Sequence, residues 1–243
     1  MMQLAVDIGN TYSKAGLYQD GVLMNTVRFA GDDPAALIAF ISENGTPAAT
    51  MLSAVRPVSN EFVSALQQIC PVHFLSHETP LPFTITYASP ESLGRDRIAG
   101  VAAAYGRFPG QNVLVVDMGT CITYDILKAD GSWPGGIISP GIRMRLQAMH
   151  HFTGQLPLIE LPDETPLTGT TTAQALASGA LCGARAEMNG IIEAYKAIYE
   201  DLTVLIGGGD NNYFDKKLRI SIFAAPNLVI DGLKTIMDFN NLR

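Results

Sequence analysis

Two stretches deliver an acid, a glycine and a hydroxyl in the same order at the end of an apolar run. They are Leu4-Ala5-Val6-Asp7-Ile8-Gly9-Asn10-Thr11 and Val113-Leu114-Val115-Val116-Asp117-Met118-Gly119-Thr120. Glycine lets a turn adopt a positive φ and lets a ligand approach the backbone. Successive N–H groups in such a turn form a concavity that suits an anion. The threonine adds a donor, and the acid suits a cation or a cation-bound water. Two such turns facing one another would grip a polyphosphate from both sides with a metal between them. Asp-x-Gly after a strand is also an ordinary hairpin signal. The repetition of the whole device favours function.

A third acid lies in Leu93-Gly94-Arg95-Asp96-Arg97, at the end of a long loop marked by Pro80, Pro82, Tyr87 and Pro90. Loops of this length in compact domains are often functional. The alanine-rich run Ile98 to Tyr105 predicts a helix, so Asp96 falls near a helix N-terminus, where the dipole favours a carboxylate by up to about 1 kcal/mol. One reading makes Asp96 a helix-start acid with surface arginines. The other makes it a carboxylate base flanked by Arg95 and Arg97, which would attract an acidic substrate.

Later blocks are weaker alone. Pro134-Gly135-Gly136-Ile137-Ile138-Ser139-Pro140-Gly141 reads as a rigid loop that passes close to a ligand or to another strand. Thr168-Gly169-Thr170-Thr171-Thr172 precedes a small-residue helix, where hydroxyls ordinarily cap. Gly207-Gly208-Gly209-Asp210 ends a strand and suits a nucleotide or a plain tight connection. It lacks the G-x-G-x-x-G spacing of a dinucleotide fingerprint.

The elements that must position these groups alternate between strand and helix. Strands are expected at 3–7, 13–19, 22–29, 48–55, 72–75, 203–206 and 220–224. Return strands should follow the second turn, over 122–127. Helices are expected at 34–44, 60–70, 142–152, 173–183 with an extension through Tyr199, and 227–239. Asp20-Gly21 and Asp130-Gly131 are hairpin turns. Met144, Met149 and Phe152 are expected in the core, and His150 and His151 on the surface or in a structural role without a metal. The pattern indicates an α/β chain.

The chain has 243 residues, 47% of them hydrophobic, and a formal net charge of −7. This acidic balance argues against nucleic-acid binding. Cys70, Cys121 and Cys182 show no metal or disulfide spacing. Apolar runs are broken well short of the ~18–20 residues of a membrane span. A soluble cytoplasmic protein is expected, with no membrane partner.

Together the blocks resemble the type III pantothenate kinases, members of the acetate kinase, sugar kinase, Hsp70 and actin superfamily. The resemblance runs through Asp7 to Thr11, Gly94 to Arg97, Asp117 to Thr120, Gly135 to Gly141, and Thr172 ahead of Gly179, in that order. It implies two actin-like (ribonuclease H-like) halves, 1–112 and 113–243, each a mixed sheet with helices, with a nucleotide cleft between them. It implies an ATP-dependent phosphotransferase with an alcohol acceptor, converting pantothenate to 4′-phosphopantothenate in the first step of coenzyme A biosynthesis.

The resemblance also assigns roles. Asp7, Ile8, Gly9, Asn10, Thr11, Tyr12, Ser13 and Lys14 match the first phosphate loop, and Thr120 matches the second loop's ATP contact. Asp117 matches the holder of a monovalent cation, potassium or ammonium. Asp96 matches the general base. Tyr87, Gly94, Arg95, Asp96, Arg97 and Thr172 match the pantothenate site. Gly207 and Gly208 resemble the adenosine-side turn. Mg²⁺ accompanies ATP, with Asp7 its nearest protein group. The family is dimeric, with active sites at the subunit interface. Arg95 stands where the family usually has alanine, and its charge is expected to lower the Asp96 pKa. Cys121, in place of a usual small residue, is read as a packing change. Two alternatives stay open: a non-catalytic nucleotide-binding regulatory protein of the same fold, and a kinase of the superfamily acting on another small acid or sugar.

Overall fold

Around the first acidic turn the chain builds a meander of β1 (Met2–Ile8), β2 (Tyr12–Gln19) and β3 (Val22–Ala30). In the computed structural model, which describes residues 1–10, 12–210, 213 and 222–242, β1 pairs antiparallel with β2 and β2 with β3. Thr11 and the first two residues of the strand expected at 220–224 lie outside the described residues. Asp20 and Gly21 take φ of 49° and 87°. Two successive positive values match a two-residue turn whose twist suits the strands. On the other side of β1, β4 (Ala49–Ala54) and β5 (Val72–Phe74) add in parallel, giving the order β3-β2-β1-β4-β5.

Helices cover both faces of this sheet. On one face, α1 (Pro34–Asn44) starts at Asp33, whose side chain accepts from the Ala35 N–H, and α2 (Asn60–Gln67) starts at Ser59, which accepts from Phe62. Leu37, Phe40, Phe62 and Leu66 pack there against Leu4, Val6, Ile8 and Leu52. On the other face lie α3 (Arg95–Arg107) and the last helix, α6 (Leu228–Phe239). Their backbones approach so closely that a Cβ on Gly232 would sit 1.7 Å from the Ala99 carbonyl oxygen. The alanine-rich sequence of α3 permits that approach. The helix begins at Arg95, earlier than the apolar run alone indicates, because the first turn is polar.

The second acidic turn has the same frame around it. β7 (Val113–Met118), β8 (Cys121–Leu127), β10 (Gly136–Pro140), β11 (Thr203–Gly207) and β12 (Phe223–Ala225) form a sheet of order β10-β8-β7-β11-β12. Strand for strand this repeats the first sheet, with β10 antiparallel to β8 and with β11 and β12 parallel to β7. Its core includes Val116, Met118 and Tyr124, Ile142 and Leu146 of α4 (Ile142–His151), and one face of α5 (Thr172–Ile198). Ala180, Ala184, Met188 and Ile192 recur every fourth residue along that face.

The chain divides into two units: Met1–Gly110 with Leu127–Gly135 and Asn227–Arg243, and Gln111–Ile126 with Gly136–Pro226. A single cut after residue 112 leaves two of these segments on the other side. The segment 127–135 belongs to the first unit because β9 (Ser132–Trp133) pairs in parallel with β6 (Thr84–Ile85), and α6 belongs there through α3. Phe152, expected in the core, is 81% exposed. It is the C-cap of α4, past the last turn whose face is buried, and its ring meets His151 instead. Met149 packs against the core as expected.

Candidate active site

The first turn is as tight as its glycine suggests. A Cβ on Gly9 would lie 2.5 Å from the Tyr12 carbonyl oxygen. Strand alternation puts Asp7, Lys14 and Ser53 on one face, since Asp7 is registered opposite Lys14 on β2 and Ser53 on β4. Burial lowers the pKa of the Lys14 ammonium, while the nearby Asp231 charge opposes the change. Asn10 is exposed and Ile8 buried. Ser13 is buried, and its hydroxyl donates to the Gly31 carbonyl, so it serves the loop's shape. The Tyr12 ring lies under the Arg28 guanidinium at 3.8 Å.

In the second turn, the Gly119 N–H donates to the Cys121 carbonyl and the Gly141 N–H to the Thr120 carbonyl. The Thr120 side chain stays exposed. A Cβ on Gly141 would lie 2.4 Å from both the Gly119 and Thr120 carbonyl oxygens. Gly208, at φ +97°, faces the other side: its Cβ would meet the Met118 carbonyl oxygen at 2.2 Å and Asp117 Oδ1 at 2.5 Å. The missing side chain at Gly208 thus lets the chain pass close to the Asp117 carboxylate and the Met118 carbonyl. Hard oxygen donors of this kind suit an alkali or alkaline-earth cation. Among the described residues, no cluster of three or more His, Cys, Asp or Glu side chains could hold a metal.

At the third block, Gly94 is the N-cap of α3 and Asp96 sits in the first turn. The Asp96 carboxylate folds back to accept from the Arg97 N–H at 2.8 Å. A Cβ on Gly94 would be 2.5 Å from Asp96 Oδ1, so only glycine leaves room for that rotamer. Burial raises the Asp96 pKa above the ordinary carboxylate value, and the Arg97 N–H and charge only partly offset it. This corrects the expectation for Arg95. The Arg95 side chain is turned to the Leu75 carbonyl, with Nε donating at 3.1 Å, and Arg97 is the arginine that acts on Asp96. Two residues apart on a helix, the two arginines point about 200° away from one another. Arg97 is buried, with its guanidinium carbon 6.0 Å from the Tyr87 ring centre and 5.8 Å from that of Trp133. The structure thus brings Tyr87, Gly94, Asp96 and Arg97 together within the first unit. In the second unit, Thr172 opens α5 and is exposed, while Thr171 caps the helix by accepting from Gln174 N–H.

Several residues around these groups were not singled out from sequence. Arg56 donates from Nε to the Gly9 carbonyl at 3.2 Å and is held by Asp32, so it braces the first turn. Ser53 is fully buried beside Asp7, and its hydroxyl has no partner among the described residues. A hydroxyl near the end of a mostly apolar strand was the available signal. Asp210, which closes the glycine block read from the sequence, donates its N–H to the Met118 carbonyl and accepts from Arg143 at 2.8 Å.

The type III pantothenate kinase family model matches residues 3–194. The chain belongs to the type III pantothenate kinase family. A type III pantothenate kinase of Bacteroides fragilis is 40% identical over 244 residues, covering 100% of both chains. Among solved structures, a Baf family transcriptional activator from Campylobacter jejuni superposes with a TM-score of 0.62 at 21% identity, covering 98% of each chain. A ROK family glucokinase from Streptomyces griseus, solved with glucose and AMPPNP, does so with a TM-score of 0.53 at 13% identity, covering 98% of this chain and 99% of its own. At those identities the likeness is one of fold, and the fold is the two-sheet α/β frame of the actin-like kinases. Membership in a kinase family implies ATP use. Among the described residues, no helix is long and apolar enough to cross a membrane.

Proposed function

We propose that this chain moves the γ-phosphoryl group of ATP to the primary hydroxyl of pantothenate, giving ADP and 4′-phosphopantothenate, the entry step to coenzyme A. The observation that carries this reading is the Gly94-to-Arg97 turn. It presents a half-buried carboxylate with a raised pKa next to a buried guanidinium. Asp96 accepts the hydroxyl proton as the oxygen bonds to phosphorus and the bond to the β-phosphate oxygen breaks. Such transfers depend mainly on positioning and charge neutralisation. Arg97 and Tyr87 hold pantothenate, with the guanidinium fork on its carboxylate. The family resemblance also assigns Thr172, exposed at the start of α5, to acceptor binding.

The residues from Asp7 to Lys14 and Thr120 receive the phosphates. Asp7 is a fitting neighbour for Mg²⁺ on ATP. Asp117, with the Met118 carbonyl beside Gly208, suits a monovalent cation, potassium or ammonium, which when bound would supply fixed positive charge. Homodimerisation is part of the same reading. Gly179, Gly183 and Gly190 on α5 each face open space. An interior helix glycine costs about 1 kcal/mol against alanine, which close approach of a second copy would offset. Light scattering is expected to give twice 26.0 kDa; a monomer at working concentration would remove the dimer. The cell's ATP pool and the free cysteines suit a cytoplasmic location, which fractionation would check.

The deciding experiment is ADP release with pantothenate as acceptor, with and without potassium, beside Asp117→Asn. Release is expected to require pantothenate, to rise with potassium, and to lose most of that rise in the variant. Equal release with a sugar or another small acid would point to a different acceptor. No release with any acceptor would favour a binding-only protein.

A further inference from the structure

The groups proposed to hold pantothenate do not stand alone. Segment 127–135 belongs to the first unit, and its strand β9 lies along β6, which ends two residues before Tyr87. The Thr84 N–H donates to the Gly131 carbonyl and the Thr86 N–H to the Trp133 carbonyl, both at 2.9 Å. The backbone immediately before Tyr87 is therefore hung on Trp133. The Trp133 side chain is fully buried and is met edge-on by Phe83 at 6.1 Å, which in turn packs on Tyr105 of α3. A ring so fixed is a rigid wall for the Arg97 guanidinium, 5.8 Å from its centre, within cation–π range.

Gly135 then fixes the other wall. It is buried at φ +119°, a region that side chains rarely adopt. A Cβ there would lie 2.5 Å from Tyr87 Cδ2 and 2.7 Å from Cε2. The Tyr87 ring thus rests directly on the bare Cα of Gly135. Gly136 is bare for a different reason, the backbone of the neighbouring strand at Tyr124.

We infer that Trp133 and Gly135 are positioning residues for the acceptor, holding the Arg97 guanidinium and the Tyr87 ring in their binding geometry before pantothenate arrives. The inference rests on the kinase reading of Arg97 and Tyr87 and adds to it the segment that sets acceptor affinity. Arginine has many rotamers, and ordering it on binding costs affinity. Two fixed rings remove most of that cost in advance. Loosening either wall therefore weakens pantothenate binding and leaves the ATP side and the chemical step nearly alone.

The test is steady-state kinetics of Gly135→Ala and Trp133→Phe beside wild type. Gly135→Ala is expected to raise the pantothenate KM about tenfold or more, with kcat and the ATP KM changed less than about threefold. Trp133→Phe is expected to raise the same KM severalfold, and it keeps the test alive if the alanine variant fails to fold. In a Tyr87→Ala background, Gly135→Ala should add little, because the ring it displaces is gone. Trp133 is the chain's single tryptophan, so pantothenate should also change the intrinsic fluorescence saturably, and Arg97→Ala should abolish that change. An unchanged pantothenate KM in both variants, or a full additional loss in the Tyr87→Ala background, would overturn the inference while leaving the kinase reading intact. Absence of pantothenate-dependent ADP release from the wild type would sink the kinase reading and this inference with it.

Discussion

Asp96→Asn is expected to lower kcat by about 10²–10⁴-fold, the range general-base help supplies, while the protein stays at least as stable at neutral pH. The two halves of that statement share one cause. Burial raises the Asp96 pKa against the partial opposition of Arg97. A carboxylate whose pKa is higher folded than unfolded contributes stability below the unfolded value and loses it as pH rises through the folded one. At neutral pH the ionised side chain is therefore a net cost to folding, and the amide removes it. The raised pKa also makes Asp96 a stronger base than a free aspartate. In the wild type, kcat/KM should fall as pH drops through the raised value, so the acid limb lies above the ordinary 3.8. A variant that turns over like wild type, or one that loses activity only because it melts, would remove Asp96 from the proton transfer. Thermal melting measured beside single-turnover kinetics separates these outcomes.

Arg97→Ala is expected to raise the pantothenate KM by about 10- to 100-fold, the worth of a hydrogen bond to a charged group, with a smaller effect on the ATP KM. Arg97 is buried, with its guanidinium near two rings, so its electrostatic reach is less screened than that of a surface arginine. Arg97→Lys should recover only part of the loss, since a point charge cannot reproduce a planar fork. Arg97 has a second, diagnostic effect. Its charge holds the Asp96 pKa down against burial. Removing it should move the acid limb of the rate profile to higher pH. The same truncation at Arg95, exposed and turned to the Leu75 carbonyl, should leave that limb in place. An unchanged KM in Arg97→Ala would take Arg97 out of the acceptor site.

What a reader of the bare chain can recover follows from how local each feature is. The acidic turns are legible because an apolar run, a carboxylate and a glycine within a few residues dictate strand, turn and return strand without outside help. Asp20-Gly21 is legible for the same reason: both residues tolerate the positive φ that the hairpin imposes. The Gly94-Arg95-Asp96-Arg97 block could be found, but its meaning could not. Both arginines flank the acid equally in one dimension. Only helix geometry and the Leu75 carbonyl send one to the surface and leave the other beside the carboxylate.

Long-range packing decided the rest. The pattern of α6 shows that it has an apolar face; which sheet that face covers depends on Gly232 meeting Ala99 on α3. The glycines at 135, 136 and 141 mark a backbone that must pass close to something. In three dimensions each meets a different neighbour: the Tyr87 ring, the Tyr124 backbone and the second acidic turn. Periodicity and turn chemistry are properties of neighbours in sequence, so the amino acids alone specify strands, caps and the placing of acids at turns. Which ring walls an arginine, and which carbonyl a glycine spares, is set by contacts between segments far apart in the chain, and folding alone supplies those.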